Sequence, residues 1–380
     1  MRCIAPFHVM ELMARARRLE EAGRDIVHME VGEPDFPSAR PIVEAGRQAL
    51  AEGRTGYTEA AGIPALREAI SDHYRRVYDL DIPAARILLT PGASGALLLA
   101  MGLLVNPGDE VLMADPSYPC NRNFVRFMGG QEQRCAVGPE TGYQLDADLV
   151  ERHAGPATVA LMLASPSNPT GTTLPPEQLK ALLEWARHSG RAVVVDEIYH
   201  GLTYGESAAS ALKYSDQTLV INSFSKYFGM TGWRLGWMVV PETHVREAEK
   251  LAQNLFISPS TPAQYAALAA FQDNTLEILE QRRIEFGRRR DYLVPALREL
   301  GFKIPVMPEG AFYVYGDSSV FGDDSFALAQ RAIEEVGVAI TPGIDFGRWR
   351  ADQHIRFAYT TSMDRLQEGV RRLTQLVGKQ

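Results

Sequence analysis

The sequence contains few cysteines and no long apolar run. Cys3, Cys120 and Cys135 are the three cysteines among 380 residues, an odd number without the spacing of a zinc site. We therefore predict neither a disulfide framework nor a metal site, and we expect a reduced, cytoplasmic setting. The longest apolar stretch, 96–105, is about half the length that a membrane-spanning helix needs, so it predicts a buried helix instead.

An excess of positive charge is also absent. The formal net charge is −8, from 39 basic and 47 acidic residues that form no long runs of one sign. Because a nucleic-acid-binding face is basic, this composition argues against a nucleic-acid partner. The N-terminus shows no apolar run followed by a small-residue cleavage site, so no signal peptide is expected.

The order of apolar and polar residues predicts an α/β fold. At 380 residues two domains are the natural expectation. From about residue 85, short β-rich runs alternate with helical stretches, and several runs are apolar throughout, as strands buried on both faces are. This alternation predicts a mostly parallel sheet between helices. A helical tract over 275–300 then leads to a C-terminal α+β part. The predicted strands lie at 26–31, 87–90, 110–113, 158–163, 192–195, 218–221 and 237–240.

Two stretches at the ends of predicted strands suit a phosphate group. Ala93 and Ser94 stand where small residues run into a helix, whose first backbone N–H groups can bind an anion, although a plain tight turn is the alternative. Ser223 and Arg234 offer a hydroxyl donor and a fixed cation. Lys226, between them, could form a Schiff base with a carbonyl carbon if its amine is neutral, and a solvated surface lysine is the alternative.

Further strand ends carry side chains that suit a flat, charged ring. Asp196 ends an apolar strand, where a carboxylate needs a partner such as a protonated ring nitrogen. Tyr199 can present its hydroxyl to the same ring, and the amide of Asn168 can donate to a ring oxygen or simply form a turn. Tyr118 can stack on the ring or pack in a core. Arg356, within an apolar run, suits a substrate α-carboxylate or an internal ion pair.

Three motifs together resemble the class I/II aminotransferases of the fold type I pyridoxal-phosphate superfamily. They are Ser-Asn-Pro-Thr-Gly at 167–171, Asp-Glu-Ile-Tyr at 196–199, and Ser-Phe-Ser-Lys followed by Gly-x-Arg at 223–234. The similarity extends from Val31-Gly32-Glu33-Pro34-Asp35-Phe36 to Arg356. It implies a large cofactor-binding domain, 46–280, with a mostly parallel seven-stranded sheet. It also implies a small α+β domain, 1–45 with 281–380, that closes over the substrate.

The resemblance implies a role for each candidate residue. Lys226 is expected to hold pyridoxal 5'-phosphate as a Schiff base and to shuttle a proton between the substrate's α-carbon and the cofactor. Asp196 is expected to pair with the ring nitrogen, while Asn168 and Tyr199 bind the phenolic oxygen. The remaining implied contacts are stacking by Tyr118, phosphate binding by Ala93, Ser94, Ser223 and Arg234, and α-carboxylate binding by Arg356 with Gly32 and Asn168 nearby.

The resemblance also implies a homodimer and an activity. A tyrosine matching Tyr57 reaches the phosphate of the neighbouring subunit in this family. The implied reaction is ping-pong transfer of an amino group from an α-amino acid to a 2-oxo acid through the pyridoxamine form of the cofactor. A β-lyase acting on cysteine-type amino acids relies on the same carbanion stabilisation and stays open. A non-catalytic regulator is a third alternative, although no basic helix-turn-helix precedes the domain.

The substrate side chain is less well defined by the sequence. No second arginine can be placed that would mark a pocket for a dicarboxylate, so aspartate specificity is not supported. Phe7, His8, Ile257 and Tyr313 are candidates for lining the side-chain pocket.

Overall fold

The computed structural model describes residues 8–322 and 324–378 and contains three sheets. Within these residues the strands are β1 (Val27–His28), β2 (Ile87–Thr90), β3 (Glu110–Asp115), β4 (Gln131–Ala136), β5 (Thr158–Ala164), β6 (Ala192–Asp196), β7 (Leu219–Ser223), β8 (Gly236–Val239), β9 (Tyr313–Asp317), β10 (Val338–Ala339), β11 (Thr341–Pro342) and β12 (His354–Ala358). The helices are α1 (His8–Glu21), α2 (Arg40–Ala51), α3 (Pro64–Tyr78), α4 (Gly92–Leu104), α5 (Pro119–Phe127), α6 (Ala147–His153), α7 (Pro176–Ser189), α8 (Val245–Leu255), α9 (Thr261–Leu268), α10 (Asp273–Glu299), α11 (Ser325–Val336) and α12 (Met363–Val377).

The largest sheet has seven strands in the order β2-β8-β7-β6-β5-β3-β4. β8 runs antiparallel to both of its neighbours, and the other pairs are parallel. This confirms the predicted α/β fold with a mostly parallel seven-stranded sheet. The predicted strand over 26–31 is shorter in the structure, where only β1 forms, and β4 was not predicted at all.

Helices cover both faces of this sheet, which explains the continuously apolar strands. Leu161 and Leu163 of β5 point into one apolar core, while Ala160 and Met162 point into the core on the opposite face. Because side chains alternate along a strand, both sets must be apolar when both faces are covered.

A second body is built from both ends of the chain. β1 pairs in parallel with β10, and β9, β11 and β12 form a three-stranded antiparallel sheet. Val27 and Met29 share one apolar core with Phe357 and with side chains of α10 and α12. The domain boundaries at 46–280, and at 1–45 with 281–380, stay a prediction.

The two bodies meet at the carboxyl ends of β5, β6 and β7, where ligands bind in open α/β sheets. Among residues 8–322 and 324–378, no helix has both the length and the apolar composition that crossing a bilayer requires.

Candidate active site

A cavity of about 250 Å³ lies at this junction and collects most of the residues predicted from the sequence. The carboxyl ends of β5, β6 and β7 supply its floor, the start of α4 supplies one side, and residues 31–32 with β9 and β12 supply the other. The predicted residues that line it are Gly32, Ala93, Ser94, Tyr118, Asn168, Asp196, Tyr199, Lys226, Arg234 and Arg356.

Lys226 follows β7 and points across the junction between the two bodies. Its Nζ donates to the backbone carbonyl of Gly32 at 2.7 Å. Burial lowers the pKa of Lys226 to about 8, although the carboxylate of Glu33 opposes this change. The amine is still mainly protonated at pH 7, but its neutral fraction of about a tenth is far larger than that of an ordinary lysine, and the neutral form is the one that acts as a nucleophile or a base.

Gly32 permits this contact because it has no side chain. A Cβ atom at this position would lie 1.7 Å from the hydroxyl oxygen of Tyr313. The backbone of residue 32 can therefore approach the cavity only as glycine, which is the use of glycine at sites of close backbone approach.

Asp196 and Tyr199 lie at the end of the neighbouring strand, β6. The Oδ1 atom of Asp196 accepts the N–H of Ile198 at 3.0 Å, and the carboxyl group faces the cavity floor. Burial raises the pKa of Asp196 to about 6, so the group is still mainly ionised at neutral pH. The hydroxyl of Tyr199 lies 2.9 Å from the hydroxyl of Tyr313, and burial raises its pKa well above the ordinary value.

Arg356 is a buried cation without a carboxylate partner. Its side chain is 3% exposed, and its guanidinium lies 4.3 Å from the ring centre of Tyr313 and 4.8 Å from that of Phe346. Across the described chain no carboxylate lies within ion-pair distance of it, which removes the internal ion pair that the sequence left open. Its buried Nε atom has no hydrogen-bond partner. The nearby carboxylate of Asp345 interacts electrostatically with Arg356 but is bonded to the backbone N–H groups of His8 and Val9, so the guanidinium has no directly bonded carboxylate and fits an incoming one.

The other contacts of Arg356 fix the orientation of its guanidinium group. One terminal nitrogen donates to the side-chain oxygen of Asn168 at 3.0 Å. The other donates to the backbone carbonyl of Glu30 and to the hydroxyl of Thr341. With its oxygen engaged in this way, the amide nitrogen of Asn168 stays available to donate to a ligand in the cavity.

The phosphate site predicted beside α4 has a cation against the helix N-terminus. Gly92 has φ +67°, and a Cβ atom there would lie 2.6 Å from a terminal guanidinium nitrogen of Arg234. The side chain of Arg234 therefore lies directly against the first turn of α4, beside the backbone of Ala93 and Ser94. N–H groups at the positive end of a helix, with an arginine beside them, form an anion site.

Ser223 and Ser225 differ in their position relative to the cavity. Ser223 is 1% exposed, its hydroxyl lies 2.9 Å from the hydroxyl of Ser225 and 3.1 Å from the carbonyl of Leu235, and it does not line the cavity. Ser225 lines it instead. The small hydroxyl immediately before Lys226 was the available sequence signal for this residue.

Of Tyr57 and the candidates for the side-chain pocket, only some line the cavity. Tyr57 is 84% exposed and lies away from the cavity of its own chain. Of the pocket candidates, Tyr313 lines the cavity, whereas His8 and Ile257 do not. Phe7 lies outside the described residues.

The cavity residues fit pyridoxal phosphate together with an α-amino acid. An ionised carboxylate on the floor matches a protonated ring nitrogen, and the Arg234–α4 cradle matches a phosphate. A partly neutral lysine matches an aldehyde carbon, and the carboxylate-free Arg356 matches a substrate carboxylate. None of three further cavities among residues 8–322 and 324–378 combines these four features.

Comparison with known proteins gives a single family. The family model described as aminotransferase class I and II matches residues 24–373. A (5-formylfuran-3-yl)methyl phosphate transaminase of Methanocaldococcus jannaschii is 37% identical over 98% of this chain and 97% of the relative. An aspartate/prephenate aminotransferase of Thermus thermophilus is 37% identical over 98% of this chain and 97% of the relative. A crystal structure of an aminotransferase from Mycobacterium tuberculosis superposes with a TM-score of 0.97 at 35% identity, covering 100% of this chain and 98% of that one.

The lowered pKa of Lys226 predicts the pH dependence of its reactivity. In cofactor-free protein the neutral fraction of the amine rises with pH through about 8, so its acetylation rate should level off above that pH. An ordinary lysine continues to gain reactivity up to about pH 10.4. Mass spectrometry of the peptide that contains Lys226 measures the rate, and Lys226→Ala protein identifies the signal. A rate that rises up to pH 10.5, the ordinary value, would contradict the prediction.

Proposed function

Because the chain belongs to the class I and II aminotransferases, we propose that the cavity around Lys226 is its active site and that it works by a ping-pong mechanism. Amino-group transfer and dependence on pyridoxal phosphate are properties of this family and of this chain. The observation that carries the site assignment is the buried, carboxylate-free Arg356 in the same cavity as Lys226.

The cofactor contacts follow from the chemistry of the lining. When bound, pyridoxal phosphate supplies a ring that withdraws electrons from the substrate's α-carbon. Asp196 pairs with the ring nitrogen and keeps it protonated, because an ionised carboxylate favours the cationic form of its partner. The remaining contacts are phenolic-oxygen donors from Asn168 and Tyr199, stacking by Tyr118, and phosphate contacts from Ala93, Ser94, Arg234 and the Ser223–Ser225 pair.

Arg356 binds the α-carboxylate of the substrate. Its fork is already held by Asn168 and by the carbonyl of Glu30, so little orientation is left to be lost on binding. The planar guanidinium matches a carboxylate in a bidentate pair. Gly32, whose carbonyl faces Lys226, borders the same position.

Lys226 holds the cofactor and moves the proton. With pyridoxal phosphate bound, Lys226 would hold it through Nζ, and the free amine would take the proton from the substrate's α-carbon and hold it until it is returned. A base near neutral pH needs a pKa close to that pH, and burial brings Lys226 to about 8. The half-reaction with a 2-oxo acid uses the same groups in reverse.

The assembly and setting belong to the same proposal. The exposed Tyr57 binds the phosphate in the partner's active site, so the active unit is a homodimer. The body formed by 1–45 and 281–380 closes over the substrate, and the protein works in the cytoplasm. The two relatives are named for different substrates, a furanylmethyl phosphate and aspartate or prephenate, so their names do not select an amino donor for this chain.

Two-step transfer predicts that each half-reaction can be seen separately. Adding a single amino acid to the holoenzyme should change the cofactor's absorbance without any acceptor, and a 2-oxo acid should restore the original spectrum. If no amino acid produces this cycle, the proposed mechanism is wrong. Release of ammonia and pyruvate from cysteine-type amino acids without an acceptor would favour elimination instead.

Removing the guanidinium of Arg356 should lower kcat/KM for amino donors and leave the cofactor content unchanged. We expect Arg356→Leu to lower kcat/KM for amino donors by about 10²- to 10³-fold, the effect of deleting one member of a buried charge pair. Arg356→Lys, which retains the charge and loses the fork, should fall between this variant and the wild type. Cofactor content, measured by absorbance, should be unchanged in both. A parallel loss of cofactor would assign Arg356 a structural role.

A contribution of Tyr57 to the partner's site predicts complementation between inactive chains. Co-expressed Lys226→Ala and Tyr57→Ala chains should form mixed dimers in which one site has both Lys226 and Tyr57. Activity should then recover to about a quarter of the wild-type value, because half of randomly paired dimers are mixed and each has one intact site. If Tyr57 served its own chain, no mixed dimer would contain an intact site, and activity would stay at the level of the two separate variants.

A further inference from the structure

The part of the cavity that the cofactor and the α-carboxylate do not use is apolar. Four charged side chains line the cavity, and the proposed function uses each of them: Asp196, Lys226, Arg234 and Arg356. The apolar side chains of the whole lining are Val9, Met10, Val31, Leu97, Pro166 and Ile198, together with Ala93 and Ala164.

The polar side chains left over in this part are engaged with other protein groups. The hydroxyl of Thr231 donates to the carboxylate of Glu33 at 2.6 Å. The hydroxyl of Tyr313 is paired with that of Tyr199 at 2.9 Å. Within the lining that residues 8–322 and 324–378 of one chain supply, no cation is therefore left for a second carboxylate on the substrate.

The first turn of α1 is held in place beside this apolar region. The carboxylate of Asp345, which is 2% exposed, accepts the backbone N–H groups of His8 at 2.9 Å and Val9 at 2.8 Å. Val9 is 4% exposed, whereas its neighbour Met10 is 56% exposed although it lines the cavity. An apolar group placed against Met10 would remove its side chain from water, which is favourable.

One acidic side chain, Glu33, lies beside the cavity, where it accepts the hydroxyl of the lining residue Thr231. Glu33 is exposed, and it lies near enough to Lys226 to favour the protonated amine against the effect of burial. A second carboxylate on the substrate would enter close to this charge and would lose its hydration against the apolar side chains of α1. Both effects disfavour an acidic side chain. A basic side chain would gain attraction from Glu33 but would lose hydration in the same apolar surroundings.

We propose that the preferred amino donor carries an uncharged aliphatic or thioether side chain, which lies against Val9 and Met10 of α1. The proposal rests on the proposed function, because it takes Arg356 as the binding site of the α-carboxylate. It makes Met10 a specificity-determining residue that has no part in the chemistry.

Binding of unreactive acids tests this proposal separately from amino-group transfer. 4-Methylpentanoate and glutarate both offer one carboxylate to Arg356, and they differ in whether the far end is branched and apolar or a second carboxylate. We expect the holoenzyme to bind 4-methylpentanoate at least about 10-fold more tightly, measured by calorimetric titration. Equal or tighter binding of glutarate overturns the inference. Absence of any reaction with amino acids overturns the proposed function, whereas a normal reaction together with tighter binding of glutarate overturns the inference alone.

A cation placed on α1 should reverse the preference. Met10→Lys puts an ammonium group beside the far end of the substrate, so we expect the ratio of the two dissociation constants to shift by about 10-fold toward glutarate. Val320→Lys is the matched control, because Val320 is 57% exposed and does not line the cavity, and it should leave both constants unchanged. Unchanged melting temperatures show that both variants fold. An unchanged ratio in folded Met10→Lys protein would contradict the placement of the substrate side chain against α1.

A donor series completes the test in the reactive enzyme. Methionine and glutamate have side chains of similar length, and lysine adds the basic class. The rate of the cofactor's absorbance change with each amino acid gives kcat/KM for the first half-reaction. We expect methionine to exceed glutamate and lysine by about 10-fold or more. A preference for glutamate or for lysine in the wild-type protein overturns the proposal.

Discussion

The cavity requires three charged side chains to lie out of bulk water without pairing with one another. Asp196 and Arg356 are buried and Lys226 is partly buried, and no ion pair joins any two of them. Unpaired charges in such positions cost several kcal/mol each unless fixed dipoles replace the lost water. The N–H of Ile198 does this for Asp196, the carbonyl of Gly32 for Lys226, and a carbonyl with two aromatic rings for Arg356. The two bodies hold these dipoles in place around the cavity.

One short segment, 29–32, connects the two bodies to the chemistry. Backbone hydrogen bonds join Met29 to β10 and β12, through Ala339 at 2.9 Å and Ala358 at 2.7 Å. In the same segment, the backbone carbonyl of Glu30 accepts a hydrogen bond from Arg356. The carbonyl of Gly32, two residues later, accepts one from Lys226. Gly32 and Arg356 belong to the chain-end body, whereas Lys226 and Asn168 belong to the body of the large sheet, so any movement of one body against the other changes the surroundings of the lysine and the arginine together.

Much of this site could be predicted from the sequence because it lies at strand ends. Asp196 and Lys226 follow apolar runs, and β6 and β7 are parallel neighbours, so the ends of these strands must meet. β4 could not be predicted because it is an edge strand, paired only with β3 and apolar at few positions. Ser223 and Ser225 could not be told apart from the sequence, because the backbone after the end of β7 decides which of the two hydroxyls faces the cavity. Val9 and Met10 show only helical spacing, and their place at the cavity depends on Asp345, more than 300 residues along the chain.

The residues that could be predicted are held rigidly by the sheet, whereas those that could not be predicted are more weakly held, and this difference bears on substrate specificity. Side chains at the carboxyl ends of the central strands are held by strand pairing and by the core on both faces of the sheet. We therefore expect a change at Asp196 to disturb both the fold and the proposed cofactor site. Met10 is held only by its helix and is largely exposed, so a substitution there costs about 0.5 kcal/mol or less. The residues that select the substrate side chain can therefore change at little cost to stability. Under the proposed function, the cofactor site belongs to the sheet, and the choice of amino acid belongs to α1, whose place at the cavity the sequence pattern describes least.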